Sequence, residues 1–140
     1  MADSKSAIAY VDGSYNGDLN AFSYGIVLFI DGQEYRMSKC FHNEELLEMH
    51  NVAGEIMGAA QAMKTALEKG CEKITIYHDY EGIAKWCTGQ WKTKKTWTKK
   101  YKAFYDDISK KIEIDFVKVK AHANDTYNEI ADKLAKSALK

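Results

Sequence analysis

The chain has 140 residues, 46% of them hydrophobic, and its 20 Lys and Arg balance 20 Asp and Glu to a formal net charge of zero. That is enough chain for one buried core and too much apolar content for disorder, and zero net charge argues against holding nucleic acid by a bulk positive field. Three scattered cysteines, Cys40, Cys71 and Cys87, signal neither a disulfide framework nor a cysteine zinc site, so a reducing, cytoplasmic compartment is expected.

Residues 1–6 read as a polar tail, and no apolar run is long enough to span a bilayer. Ala7 to Gly13 is predicted as a first strand, and Ala21 to Ile30 and Gln33 to Phe41 as a hairpin turned by Asp31-Gly32. From Asn51 to Lys69 the period becomes helical, with Val52, Ile56, Ala59, Ala60, Met63 and Leu67 in step and Gly70 as the stop. Lys73 to Asp79 reads as a fourth strand, Glu81 to Trp86 and Thr98 to Lys110 as helices, and Lys111 to His122 as a fifth strand. Asn124 to Leu139 closes the chain as a helix, with Asn124 and Asp125 as candidate N-caps. With no proline, repeat or linker, the order predicts one mixed α/β domain over residues 1–140, three antiparallel strands followed by two more and flanked by helices.

Two strands end on acids, Asp12 and Asp79, and Glu55 lies at the edge of the apolar arc of the long helix. An acid before Gly13 and Ser14 has a plain reading, a turn cap. If helix and strands are in register, however, the three carboxylates converge at one rim, where repulsion is costly unless protons or cations lie between them. Oxygen ligands without His or Cys companions suit Mg²⁺ or Mn²⁺ better than zinc.

Four segments in order, YVDGSY around Asp12, NVAGEIMGAAQA around Glu55, TIYHDYEGIAKW around Asp79 and VKAHANDTYNEIADKLAK around Asp132, resemble type 1 ribonuclease H over nearly the whole chain. The wording is similar to a bacterial branch that often carries an N-terminal hybrid-binding domain, a module not found within these residues. The resemblance implies a ribonuclease H-like fold and an endonuclease that hydrolyses the RNA strand of RNA/DNA hybrids, leaving 3′-hydroxyl and 5′-phosphate ends. It implies two Mg²⁺ ions, with Mn²⁺ as a substitute, held by Asp12, Glu55, Asp79 and Asp132. Asp12 would bridge them, Asp132 would serve the nucleophile side, and Glu55 and Asp79 the leaving-group side. His122 would assist proton transfer or product release, and Glu129 is a family acid near the metals. Asp132 falls away from the Tyr127, Ile130, Leu134 stripe of its helix, so its place rests on the family spacing. Gly13 is expected to leave an uncrowded backbone where the scissile phosphate approaches.

Substrate recognition is expected in WKTKKTWTKKYK, where Trp91, Trp97 and Tyr101 interleave with Lys92, Lys94, Lys95, Lys99, Lys100 and Lys102. A lysine run is most often a solvated face, but this density of aromatics suits a groove that tracks a nucleic-acid backbone. By the resemblance, Trp86 packs on a DNA sugar, and Gly13, Ser14 and Asn51 lie along the strands with Trp91, Lys94, Lys95, Trp97 and Lys99. His42, His50 and His78 are read as structural. His50, Val52 and Glu81 replace residues more usual in the family, which puts substrate affinity in question more than chemistry. A monomer without protein or membrane partners is expected. The alternatives are a non-catalytic nucleic-acid-binding module with this fold and a related nuclease acting on another duplex.

Overall fold

The computed structural model describes residues 5–42, 49–119 and 126–139. Among them, five strands, β1 (Ser6–Asn16), β2 (Ala21–Ile30), β3 (Gln33–Phe41), β4 (Lys73–His78) and β5 (Glu113–Lys118), form one sheet in the order β3-β2-β1-β4-β5. Four helices accompany it: α1 (Asn51–Glu68), α2 (Gly82–Thr88), α3 (Thr96–Ile108) and α4 (Thr126–Ala138). The hairpin falls where the sequence puts it because Asp31 (φ 51°) and Gly32 (φ 77°) supply the two positive φ values of a type I′ turn.

Strand β1 is central, antiparallel to β2 and parallel to β4. Its odd positions Ala7, Ala9 and Val11 are buried in the main core with Ile26 and Leu28 of β2, Ile74 and Ile76 of β4, and Ile56, Ala59 and Met63 of α1. Its even positions look to the opposite face, where α4 lies on β2. Along the parallel pair the register runs to Tyr10↔Tyr77. Asp12 and Asp79 each follow two residues later, so both carboxylates arrive at the same end of the sheet.

Several expected boundaries shift. Strand β1 runs on to Asn16, because pairing with β2 continues through Ser14↔Ser23 and Asn16↔Ala21. Strand β5 starts at Glu113, two residues later than expected, and is paired with β4 to His78↔Lys118; residues 120–122 of its expected span lie outside the described residues. Helix α3 starts at Thr96, where the Lys95 N–H donates to Thr98 Oγ1 at 3.1 Å. The expected caps Asn124 and Asp125 lie outside the described residues. No helix among the described residues is long and apolar enough to cross a membrane.

Candidate active site

Asp12 and Glu55 are 7% and 3% exposed and Asp79 is half-buried, and one carboxylate oxygen from each lies within 4.8 Å of the others. Glu55 reaches this point because α1 touches the sheet backbone to backbone. A Cβ on Gly13 would lie 2.1 Å from Asn51 O and 2.5 Å from Glu55 N, and one on Gly54 would lie 1.9 Å from Ser23 O. Gly13 therefore does not leave open backbone for a phosphate, as the sequence suggested. The space is filled by α1, and the glycine's work is to let Glu55 approach Asp12. Two backbone donors then hold Glu55 over the end of β4: the Asp79 N–H on Oε2 at 3.3 Å and the Tyr80 N–H on Oε1 at 3.0 Å.

Burial pushes the Asp12 carboxyl up to about 9, helped by a hydrogen bond with the Asp132 side chain and by the charges of Asp79, Glu55 and Asp132. Glu55 is raised to about 8, first by burial and then by Asp79, against the lowering effect of its two N–H donors. Without a cation, the cluster relieves its repulsion by keeping protons. Asp79 Oδ1 is buried with no hydrogen-bond partner, an acceptor in want of a cation or donor. An all-carboxylate donor set with such an acceptor fits a hard divalent cation.

Asp132 enters from the other layer. Its hydrogen bond ties it to Asp12, and its Oδ2 pairs with Lys136 Nζ at 2.9 Å. The cluster thus draws Glu55 from one face of the sheet, Asp132 from the other, and between them Asp79 from just past the end of β4 and Asp12 from within β1, which does not end on this acid as the sequence suggested.

Beside the carboxylates, Val52, Tyr80, Trp86, Lys92, Lys94 and Lys95 line a groove of about 310 Å³. The Tyr80, Trp86 and Trp91 rings meet at centroid distances of 5.7–5.9 Å, and Lys85 Nζ, paired with Glu81 at 3.0 Å, lies 5.5 Å from the Trp91 ring centre. Tyr101 is buried, and its hydroxyl donates to Ile83 O at 2.7 Å, anchoring α3 on α2. The exposed lysines of α3 therefore stand on a fixed base.

The RNase H family model matches residues 4–140. The chain belongs to the RNase H family. Among its relatives, the ribonuclease H of Clostridium botulinum (strain Hall) is 29% identical over 150 residues, covering 96% of each chain, and that of Wolbachia pipientis wMel is 27% identical over 141 residues, again 96% of each. The RNase H1 crystal structure from the halophilic archaeon Halobacterium salinarum superposes with a TM-score of 0.79 at 23% identity, covering 96% of this chain and 97% of that one. LC11-RNase H1 in complex with RNA/DNA hybrid superposes with a TM-score of 0.73 at 19% identity, covering 96% and 99%. As an RNase H, the chain is a metal-dependent endoribonuclease.

Within this RNase H the expected acids Asp12, Glu55, Asp79 and Asp132 come together. Glu129 is exposed on α4 and outside the three-carboxylate group, and His122 lies outside the described residues. Ser14 is half-buried and Asn51 exposed at the start of α1, while Trp86 and Trp91 belong to the aromatic cluster. Lys94, Lys95 and Lys99 are exposed. Trp97 is half-buried against Phe22 and Ala53, with Lys100 Nζ 4.4 Å from its ring centre, so it also anchors α3. Lys102 turns elsewhere, to Asp106 at 2.8 Å and the Cys87 carbonyl at 3.1 Å. His78 is buried, its Nδ1 2.9 Å from the Tyr80 carbonyl, whereas His50 is exposed and stacked on Tyr15. Sequence reasoning missed Tyr80, whose N–H holds Glu55 while its ring lines the groove. Its place directly after Asp79 and ahead of Trp86 was the available signal.

Proposed function

We propose that this RNase H cuts the RNA strand of RNA/DNA hybrids with Mg²⁺ as its working cation, and that residues 1–140 act as one catalytic domain. The observation that carries the reading is the buried Asp12, Glu55, Asp79 cluster opening beside a lysine and aromatic groove. Divalent cations bound there supply a polarised water nucleophile and stabilise the leaving oxygen of a phosphodiester.

The chain's own groups do the rest. Asp12, at the centre of the four acids, would be the ligand common to both cations; Asp132 would serve one, and Glu55 with Asp79 the other. The Asp79 and Tyr80 N–H groups fix the orientation of Glu55 so that its oxygens need not reorganise during the reaction. Along the groove, Lys92, Lys94, Lys95 and Lys99 meet phosphates while Trp86, Trp91 and Tyr80 give flat surfaces for sugars. A reader of this kind senses strand shape and 2′-hydroxyls and ignores base sequence. Ser14 and Asn51 border the RNA strand. The chain works as a monomer in the cytoplasm.

The test is cleavage of labelled RNA/DNA hybrid, RNA duplex and DNA duplex, each with Mg²⁺ and with chelator. Cutting of the hybrid alone, abolished by chelator, is the expected result. A run of deoxynucleotides within the RNA strand should lose cutting inside the run and keep it elsewhere. Efficient cutting at a single ribonucleotide, or of DNA duplex, would replace hybrid specificity with another nuclease activity. No cutting at all, with binding kept, would make the chain a non-catalytic module.

A further inference from the structure

Helix α4 carries Asp132, and its seat on the sheet is unusual. Its buried residues are Ala131 and Ala135, both 0% exposed, and not the larger Tyr127, Ile130, Leu134 stripe. These alanines meet β2 at Gly25. A Cβ there would lie 2.0 Å from Ala131 O, 2.7 Å from Ala135 N and 2.8 Å from Leu134 Cβ. Two residues along the same face, the buried Ser23 hydroxyl donates to the Ala135 carbonyl. Gly25 is also the ladder partner of Asp12. Helix and sheet therefore touch backbone to backbone directly across from the central carboxylate, and the contact residue Ala131 is the immediate neighbour of Asp132.

We propose that Gly25 and Ser23 form a clamp that sets the height of α4 over the sheet and so positions Asp132 against Asp12. The proposal rests on the reading of Asp132 as a metal ligand. Any side chain at position 25 must lift the helix, since nonbonded carbon contacts settle at about 3.5 Å or more. Mg²⁺ demands near-ideal octahedral geometry with oxygens at about 2.1 Å, so a lift of about 1 Å removes a ligand. Glu55 and Asp79 are spared, because α1 is seated on the opposite face by Gly13 and Gly54. Gly25 and Ser23 are positioning residues, and neither lines the groove.

The experiment compares Gly25→Ala, Ser23→Ala, Asp132→Asn and the Gly25→Ala/Asp132→Asn double variant with a core control, Ile76→Val. Mn²⁺ binding is read by calorimetry, and kcat and KM are read on RNA/DNA hybrid. Gly25→Ala should lower kcat about a hundredfold with KM unchanged. It should shift the Mn²⁺ isotherm in the direction and by the amount that Asp132→Asn does. The double variant should be no worse than Asp132→Asn, the non-additivity of two changes acting on one group. Ser23→Ala, which removes no packing space, should shift both readouts the same way by less, and Ile76→Val should leave the isotherm at wild type. A wild-type isotherm in folded Gly25→Ala, or an additive loss in the double variant, overturns the clamp. Should Gly25→Ala not fold, a wild-type isotherm and kcat in Ser23→Ala overturn it instead. If Asp132→Asn alone keeps wild-type metal binding and cleavage, the ligand reading of Asp132 has failed, a result distinct from failure of the clamp.

Discussion

The carboxylate cluster and the lysine groove lie side by side and are built on opposite terms. The cluster buries like charges against each other, which raises Asp12 to about 9 and Glu55 to about 8 and leaves Asp79 Oδ1 unpartnered. The groove and the α3 surface beside it spread Lys94, Lys95 and Lys99 over an exposed face where water and salt screen them. On the proposed function, chemistry is assembled by enforcing a costly geometry, and affinity by adding many inexpensive contacts. Substitutions in the first region should therefore act on rate and on metal-free stability, and those in the second on binding and its salt dependence.

The comparison breaks most sharply at Asp12. Asp12→Asn should reduce cleavage to about a thousandth or less while raising the melting temperature of the metal-free protein by roughly 3–8 °C at neutral pH, since Asn is neutral without having to take up a proton on folding. A purified variant with near-normal cleavage would remove Asp12 from the bridging role. Next in size is Gly13→Ala, which drives a Cβ into the backbone of α1. Denaturant unfolding should show a loss of about 1–3 kcal/mol, and kcat should fall about a hundredfold.

In the groove, replacing Lys94, Lys95 and Lys99 with Ala should weaken hybrid binding and flatten its salt dependence. The slope of log K against log salt should fall by roughly 0.9 for each lost phosphate contact to a duplex. Cleavage at saturating substrate should hardly change. Binding and slope equal to wild type would make the segment a solvated face.

A fourth test reads the cost of the cluster as a pH profile. The carboxyls titrate near 9 and 8 in the metal-free fold but near about 4 in the unfolded chain, so the folded state holds protons that the unfolded state gives up. The metal-free protein should lose stability steadily from about pH 5 to pH 9, and saturating Mg²⁺ should flatten the profile. A flat profile in chelator would deny the cluster its stored repulsion. The smallest effect belongs to Lys136, 66% exposed beside Asp132. Lys136→Gln should tighten divalent-cation binding about twofold by calorimetry, within the range of an exposed pair.

Much of this was legible in the sequence because local rules decided it. Asp31-Gly32 set the hairpin, and the helical period from Val52 to Leu67 set α1. The wheel placed Glu55 where helix meets sheet. Helix α4 was misread for a physical reason. The apolar stripe of Tyr127, Ile130 and Leu134 looked like the buried face, yet Ala131 and Ala135 are the residues that bury. The decision belongs to Gly25, more than a hundred residues away, and no periodicity within α4 records it. A glycine inside a strand was the one available hint of close backbone approach. Gly13 was misread in the same way, as room for a ligand when it is room for a helix.

The stacked pair of Tyr10 and Tyr77, 4.6 Å apart and 15° from parallel, sits two residues behind Asp12 and Asp79 on adjacent strands. Strand side chains alternate with period two, so what this pair fixes is parity. Distance errors at the site come in degrees, but a register error is all or nothing. Removing one residue between Lys73 and Tyr77 would turn Asp79 into the core and bring the neighbouring Tyr80 into its place beside Asp12, leaving a sheet without its chemistry. Removing two would restore the facing but draw Asp79 back by about 6–7 Å along the strand, away from Asp12 and Glu55, so the activity of this chain hangs on the residue count as well as on its parity.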